Sequence, residues 1–144
     1  MIIEKTKDYS IIKKTMLELK QSFYSKEVAN DSSIESLAKK FCENAEFFIA
    51  KHNSITAGFI SFYCNDFSSK TSFISMIIID KNYQGKGLGK ELLKKAIDYC
   101  KAQKMKCVKL EVACSNKNAI SFYEKLGFVK SEQKNDSYFY ELNF

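Results

Sequence analysis

The residues best placed by type and spacing to do chemistry are three glycines. They stand at 85, 87 and 89 in the run Ile78-Ile79-Asp80-Lys81-Asn82-Tyr83-Gln84-Gly85-Lys86-Gly87-Leu88-Gly89-Lys90, where an apolar stretch gives way to a helical pattern. Glycine lets the main chain approach a ligand closely and turn its N–H groups toward it. Those groups, backed by a helix N-terminus, make an anion site suited to a phosphate or pyrophosphate. Lys86 and Lys90 add point charge at the rim. Two familiar phosphate loops are excluded by spelling. A Walker A loop needs a glycine where Gln84 stands and a hydroxyl where Glu91 stands. A dinucleotide fingerprint needs its third glycine at the position of Lys90. The plainer alternative is a tight turn that only caps a helix.

Other reactive groups are sparse. The cysteines, Cys42, Cys64, Cys100, Cys107 and Cys114, are odd in number, form no C-x-x-C pair and lie far in sequence from the lone His52. No metal site is expected, and the thiols read as reduced, small core residues. The net charge is +6, and all 23 basic residues are lysine. Without arginine there is no bidentate contact to guanine or phosphate, so no nucleic-acid partner is expected. The charge suggests a compact anionic ligand or a solvated lysine-rich surface, and it slightly favours an acidic small-molecule partner. No apolar run approaches the roughly 20 residues a membrane span needs. The opening MIIEKTKDYS shows no export signal, so the expected compartment is the cytoplasm.

The elements that must hold the glycines follow from periodicity. At 144 residues, with 45% hydrophobic and 28% charged, the chain has the composition of one globular domain, residues 1–144. A first strand spans 1–5. Asp8 is the N-cap of a helix with Ile12, Met16, Leu19 and Phe23 on one face. A Ser32…Glu35 capping box predicts a second helix running to about Asn44. Strands follow at 46–51 and 55–64, then 71–79, which is nearly all apolar and expected to be central and buried on both faces. The glycine run opens a helix to about Gln103, striped by Leu88, Leu92, Leu93, Ala96, Ile97 and Cys100. A strand at 107–113 alternates Val108, Leu110 and Val112. A short helix, capped by Asn116 or Ser115, ends at Gly127, and strands at 128–132 and 138–143 complete the sheet. The order β-α-α-β-β-β-α-β-α-β-β predicts a mixed α/β fold. Its central twisted sheet has about 6–7 strands flanked by about four helices, and 71–79 and 107–113 run parallel around a crossover helix.

Gln84-x-x-Gly87-x-Gly89 resembles the acyl-CoA pyrophosphate loop of the GCN5-related N-acetyltransferase (GNAT) family. Asn116-x-x-Ala119-x-x-Phe122-Tyr123-x-x-x-Gly127-Phe128 is similar to that family's second signature. Together the two cover about residues 71–130. The resemblance implies a GNAT-like fold whose parallel strands 71–79 and 107–113 splay apart, with acetyl-CoA as co-substrate and an amine as acceptor. It implies that main-chain N–H groups of Gln84, Gly85, Lys86, Gly87, Leu88, Gly89 and Lys90 hold the pyrophosphate. Main-chain groups around Ile77, Ile78 and Ile79 would pair with the pantetheine arm, an N–H near Ile78 would polarise the thioester carbonyl, and Asn116, Ala119, Phe122 and Tyr123 would meet the cofactor. It is also compatible with a homodimer.

Within that frame Tyr123 is the expected general acid. A phenol with pKa about 10 is protonated at pH 7 and can donate to a thiolate whose acid lies near 8.5. Simple packing beside Phe122 is the alternative. Deprotonating a lysine-like amine at pH 7 costs about 4.6 kcal/mol, whereas an amine of pKa about 8 costs about 1 kcal/mol and can rely on water. Glu111, on the strand beside the thioester wedge, is the carboxylate expected as base; Glu46, Asp80 and His52 are weaker choices. The leading expectation is direct acetyl transfer to the amine of a small molecule (amino sugar, amine or amino acid) or of a peptide. The competing one, motivated by the lack of an evident base, is a non-catalytic acyl-CoA-binding module. A basic nucleic-acid binder rests on charge alone.

Overall fold

The computed structural model describes the whole chain, Met1–Phe144. Its elements in order are β1 (Ile2–Thr6), α1 (Tyr9–Glu18), α2 (Asp31–Asn44), β2 (Glu46–His52), β3 (Ile55–Asp66), β4 (Thr71–Ile79), α3 (Leu88–Ala102), β5 (Cys107–Ala113), α4 (Lys117–Lys125), β6 (Val129–Lys134) and β7 (Ser137–Asn143). Single 3-10 turns at Lys20–Ser22 and Lys81–Tyr83 fill two of the connections. The seven strands form one sheet in the order β1-β2-β3-β4-β5-β7-β6. Only β4 and β5 run parallel, joined through α3; every other pair is antiparallel.

Local chemistry sets the helix ends. Asp8 caps α1, its carboxylate accepting from the Ile11 N–H at 3.0 Å. The predicted Ser32 capping box does not form. Asn30 is the cap instead, accepting from the Ser33 N–H at 2.9 Å, so α2 begins at Asp31 and the would-be box lies inside its first turn. Asparagine caps as well as serine does, and its own amide also reaches the Glu27 carbonyl at 2.6 Å. Asn116 caps α4 through the Ala119 N–H at 3.3 Å, and Gly127 follows that helix at φ 96°.

The sheet has a core on each face, because side chains alternate along a strand. On one face α1 and α2 bury Ile12, Met16, Ile34, Ala38 and Phe41 against Phe47, Ile49, Phe59 and Ile78. On the other, α3 buries Leu88, Leu92, Leu93 and Ala96 against Phe48, Ile60, Phe62, Ile74, Val108 and Leu110. The strand buried on both faces is β3, whose residues 57–62 are continuously buried, and not β4 as its composition predicts. Ser75, Met76 and Ile77 of β4 are only half-buried, because β4 borders an opening.

That opening has a local cause. β4 and β5 pair at Thr71↔Cys107, Ser72↔Val108, Phe73↔Lys109 and Ile74↔Leu110, and then stop. On the other edge of β4, Ile74 pairs with Phe62 while Met76 pairs with Ser61, which leaves Ser75 as an extra residue. An extra residue bends its strand and reverses which face later side chains address. The reversal is visible: Ile74 packs on the α3 face, Met76 and Ile78 on the α1–α2 face, and Ile77 and Ile79 again on the α3 face. The splay therefore begins at the bulge.

Candidate active site

The splay opens a cleft of about 900 Å³ that passes through the sheet. Its walls include residues packed on both cores: Phe122 and Tyr123 with the α3 face, Phe23, Val28, Leu37 and Met76 with the α1–α2 face. The glycine loop closes one end.

The loop is built to present amides. Gly85 and Gly87 adopt φ 76° and 85°, values that disfavour any side chain, and nothing lies within 4 Å of where a Cβ would stand at either. Gly87 caps α3 without a side-chain acceptor. The first bond of that helix runs from the Glu91 N–H to the Gly87 carbonyl at 3.1 Å, so the Leu88, Gly89 and Lys90 amides precede the helical ladder. At Gly89 a Cβ would stand 3.4 Å from the Phe122 ring, so the loop lies close against that side chain. The Gln84 side chain donates from Nε2 to the Ile79 carbonyl at 2.9 Å and ties the loop back to the end of β4.

Main-chain direction on β4 revises one expectation. The Asp80 N–H donates to the Ala57 carbonyl at 2.9 Å, and the Ile78 carbonyl lies 2.7 Å from the Cβ position at Gly58, so both address β3. Because N–H and C=O groups alternate sides along a strand, Ile77 and Ile79 address the splay. The Ile78 N–H is turned into the sheet and is no donor to the cleft. Its neighbours at 77 and 79 take that place.

Tyr123 lines the cleft with its ring 7% exposed, edge-on to Phe122 and Phe128 at centroid distances of 5.3 and 5.5 Å. Burial alone pushes its phenol up to about 12, because no protein group stabilises the phenolate. Asn116, Ala119 and Phe122 also line the cleft; the Asn116 Oδ1 is engaged in its cap. Glu111 lies on β5 beyond the last parallel pair, facing away from Leu110 and Val112 and hence toward the α1–α2 side. Tyr123 and Glu111 thus flank the splay from opposite faces of the sheet.

The remaining expected residues divide. All the proposed cofactor residues border the cleft except Lys86, whose ammonium stands 5.8 Å over the Tyr83 ring, in a smaller neighbouring recess with His52 and Asp80. His52 contacts the Tyr83 hydroxyl at 3.3 Å, and Asp80 accepts from the Asn82 N–H at 2.8 Å. Glu46 is remote, bound by Lys5 at 3.3 Å and Lys7 at 3.1 Å; burial pushes its carboxyl up, but the two ammoniums outweigh it and leave it below the usual range. None of the three alternative bases reaches the cleft. Phe23, Tyr24, Val28 and Leu37 were not foreseen as site residues, since helix-face and loop positions carry no signal of their own.

The family model described as the acetyltransferase (GNAT) family matches residues 13–128. The chain belongs to that family. Among curated proteins it is 37% identical over 90 residues to an uncharacterised N-acetyltransferase of Methanocaldococcus jannaschii, a match covering 60% of this chain and 40% of the relative. It is 32% identical over 97 residues to N-alpha-acetyltransferase MAK3 of Arabidopsis thaliana, covering 67% of this chain and 50% of that protein. The chain thus spans half or less of these GNAT relatives. Among solved structures, PaiA N-acetyltransferase of Thermoplasma acidophilum, in complex with coenzyme A, superposes over 100% of both chains with TM-score 0.80 at 20% identity. At that identity the likeness is one of GNAT fold. No helix is long and apolar enough to cross a membrane.

Proposed function

We propose that the protein is an acetyl-CoA-dependent N-acetyltransferase that moves the acetyl group directly from the thioester to a primary amine. The observation that carries this reading is the through-sheet cleft, with an amide-lined glycine loop at one end and Tyr123 and Glu111 on opposite faces of the splay. The amides of Gly87 to Lys90 suit a pyrophosphate, helped by the Lys90 ammonium. The main chain of Ile77 and Ile79 suits the amides of a pantetheine arm laid in as an added strand. The Asn116 Nδ2, left free while Oδ1 caps α4, is a further donor.

The amine enters from the α1–α2 face and its lone pair forms the C–N bond to the acetyl carbon as the C–S bond breaks. The Ile77 and Ile79 amides are the donors available to the carbonyl oxygen as it gains charge. Glu111 takes the proton that the amine loses. The electron pair of the broken bond leaves on sulfur, beside the Tyr123 hydroxyl. Burial pushes the phenol up to about 12, and the same dry surroundings push the departing thiol up as well. Tyr123 is the donor placed to hydrogen-bond the leaving sulfur and to give it a proton.

The test is calorimetric titration with acetyl-CoA together with thiol release over a panel of amines. Micromolar binding and amine-dependent thiol release are expected. No acetyl-CoA binding below millimolar concentration would overturn the reading.

A further inference from the structure

Resting on the transferase reading, the charge and polarity of the cleft narrow the acceptor. Only two charged side chains line it, Lys90 at the glycine loop and Glu111 on the far side. The acceptor side is otherwise uncharged: Phe23, Val28, Leu37 and Met76 supply apolar wall, with the hydroxyl residues Ser22, Tyr24, Ser25 and Ser75 between them. Apart from Lys90 the lysines behind the net charge of +6 lie outside the cleft, so the overall charge says nothing about this opening. A bound anion there would face the exposed Glu111 carboxylate with no cation beside it in the lining of that side. An ammonium would meet an opposite charge, and an apolar body would cover the wall.

The opening is also bridged. The Tyr24 hydroxyl hydrogen-bonds the Ser115 hydroxyl at 2.6 Å across 91 positions of sequence. This bond links the segment after the first 3-10 turn to the turn that follows β5, a strap beside the part of the cleft that Tyr24 lines, and such a strap favours a small molecule over a long polymer.

We infer that the acceptor is a small primary amine carried on an apolar, uncharged body, and that Glu111 sets this preference by opposing acceptors that bear an anionic group. The expected acidic acceptor is thereby replaced.

The test is calorimetry on the CoA-loaded protein with three probes. 2-Phenylethylamine has both features, L-phenylalanine adds one carboxylate to the same body, and ethanolamine lacks the apolar body. 2-Phenylethylamine is expected to bind at least tenfold more tightly than either of the others. In Glu111→Gln the ratio of 2-phenylethylamine to L-phenylalanine should fall to threefold or less, with CoA affinity unchanged. Equal or tighter binding of L-phenylalanine, or no binding of 2-phenylethylamine, overturns the inference while CoA binding still stands. Loss of CoA binding itself would instead strike the transferase reading on which the inference rests.

Discussion

Replacing Tyr123 with phenylalanine isolates one hydroxyl. The ring contacts with Phe122 and Phe128 survive the change, and no protein group hydrogen-bonds the hydroxyl, so no partner is orphaned. Stability should stay within about 1 kcal/mol of wild type, because the hydroxyl gains nothing from the fold and its burial only costs desolvation. Catalysis should respond differently. What is lost is the hydrogen bond to a charged sulfur, about 1.5–3 kcal/mol. That corresponds to a fall in kcat of roughly 10- to 150-fold. The assay is steady-state thiol release with a fixed amine, run beside acetyl-CoA calorimetry and thermal denaturation. The acetyl-CoA Kd should change by less than about threefold. An unchanged kcat, or a loss matched by an equal loss of acetyl-CoA affinity, would refute the reasoning and leave Tyr123 as a packing residue.

Gly87→Ala places a side chain at φ 85°, which costs roughly 1–2 kcal/mol, and puts a methyl group where the loop faces open space. Urea denaturation should show the loss, and acetyl-CoA affinity should fall at least tenfold; an unaffected affinity would show that the loop does not hold the pyrophosphate. Asn30→Ala should cost about 1 kcal/mol in thermal or urea unfolding, and Ser32→Ala less than about 0.5 kcal/mol, because Asn30 is the residue that caps α2. The reverse order would restore the Ser32 box. Alkaline stability provides a check on Tyr123. Its pKa is raised from about 10 unfolded to about 12 folded, so between those values the native state holds more protons and stability falls as pH rises. Wild type should lose about 2–3 kcal/mol relative to Tyr123→Phe between pH 10 and 12, with no such difference opening below pH 9.

The parts of the fold that were legible in the sequence were those written in one local code. Helix caps at Asp8 and Asn116, the alternating strand 107–113 and the glycine loop each depend on residues within a few positions, and the structure places them as read. Ser32 misled because Asn30 offered an equally good cap two residues earlier, and composition alone does not rank the two. The walls of the acceptor side were not legible. Phe23, Val28 and Leu37 read as core or loop, and only the tertiary arrangement brings them to the splay.

The deepest omission was Ser75. The segment TSFISMIII reads as one strand, and its apolar run suggests burial on both faces. Its burial changes midway: Ser72 and Ile74 are buried between half-buried neighbours, and over Ser75, Met76 and Ile77 that alternation is lost. The change of pattern marks the residue at which the strand adds one position against β3 and lets go of β5. An unbroken apolar run would ordinarily mean that both faces are covered by protein. Here only Ile74, against α3, and Ile78, against α1 and α2, are buried among the apolar residues of β4, while its edge beyond Ile74 is left open, and the half-burial of Ile77 follows from that. The same bulge decides which amides are free, since the main-chain groups of Ile78 turn into the sheet and those of Ile77 and Ile79 turn out of it. One unpaired serine thus opens the cleft and selects its donors. It also places Met76 on the acceptor side, where the apolar wall meets Glu111.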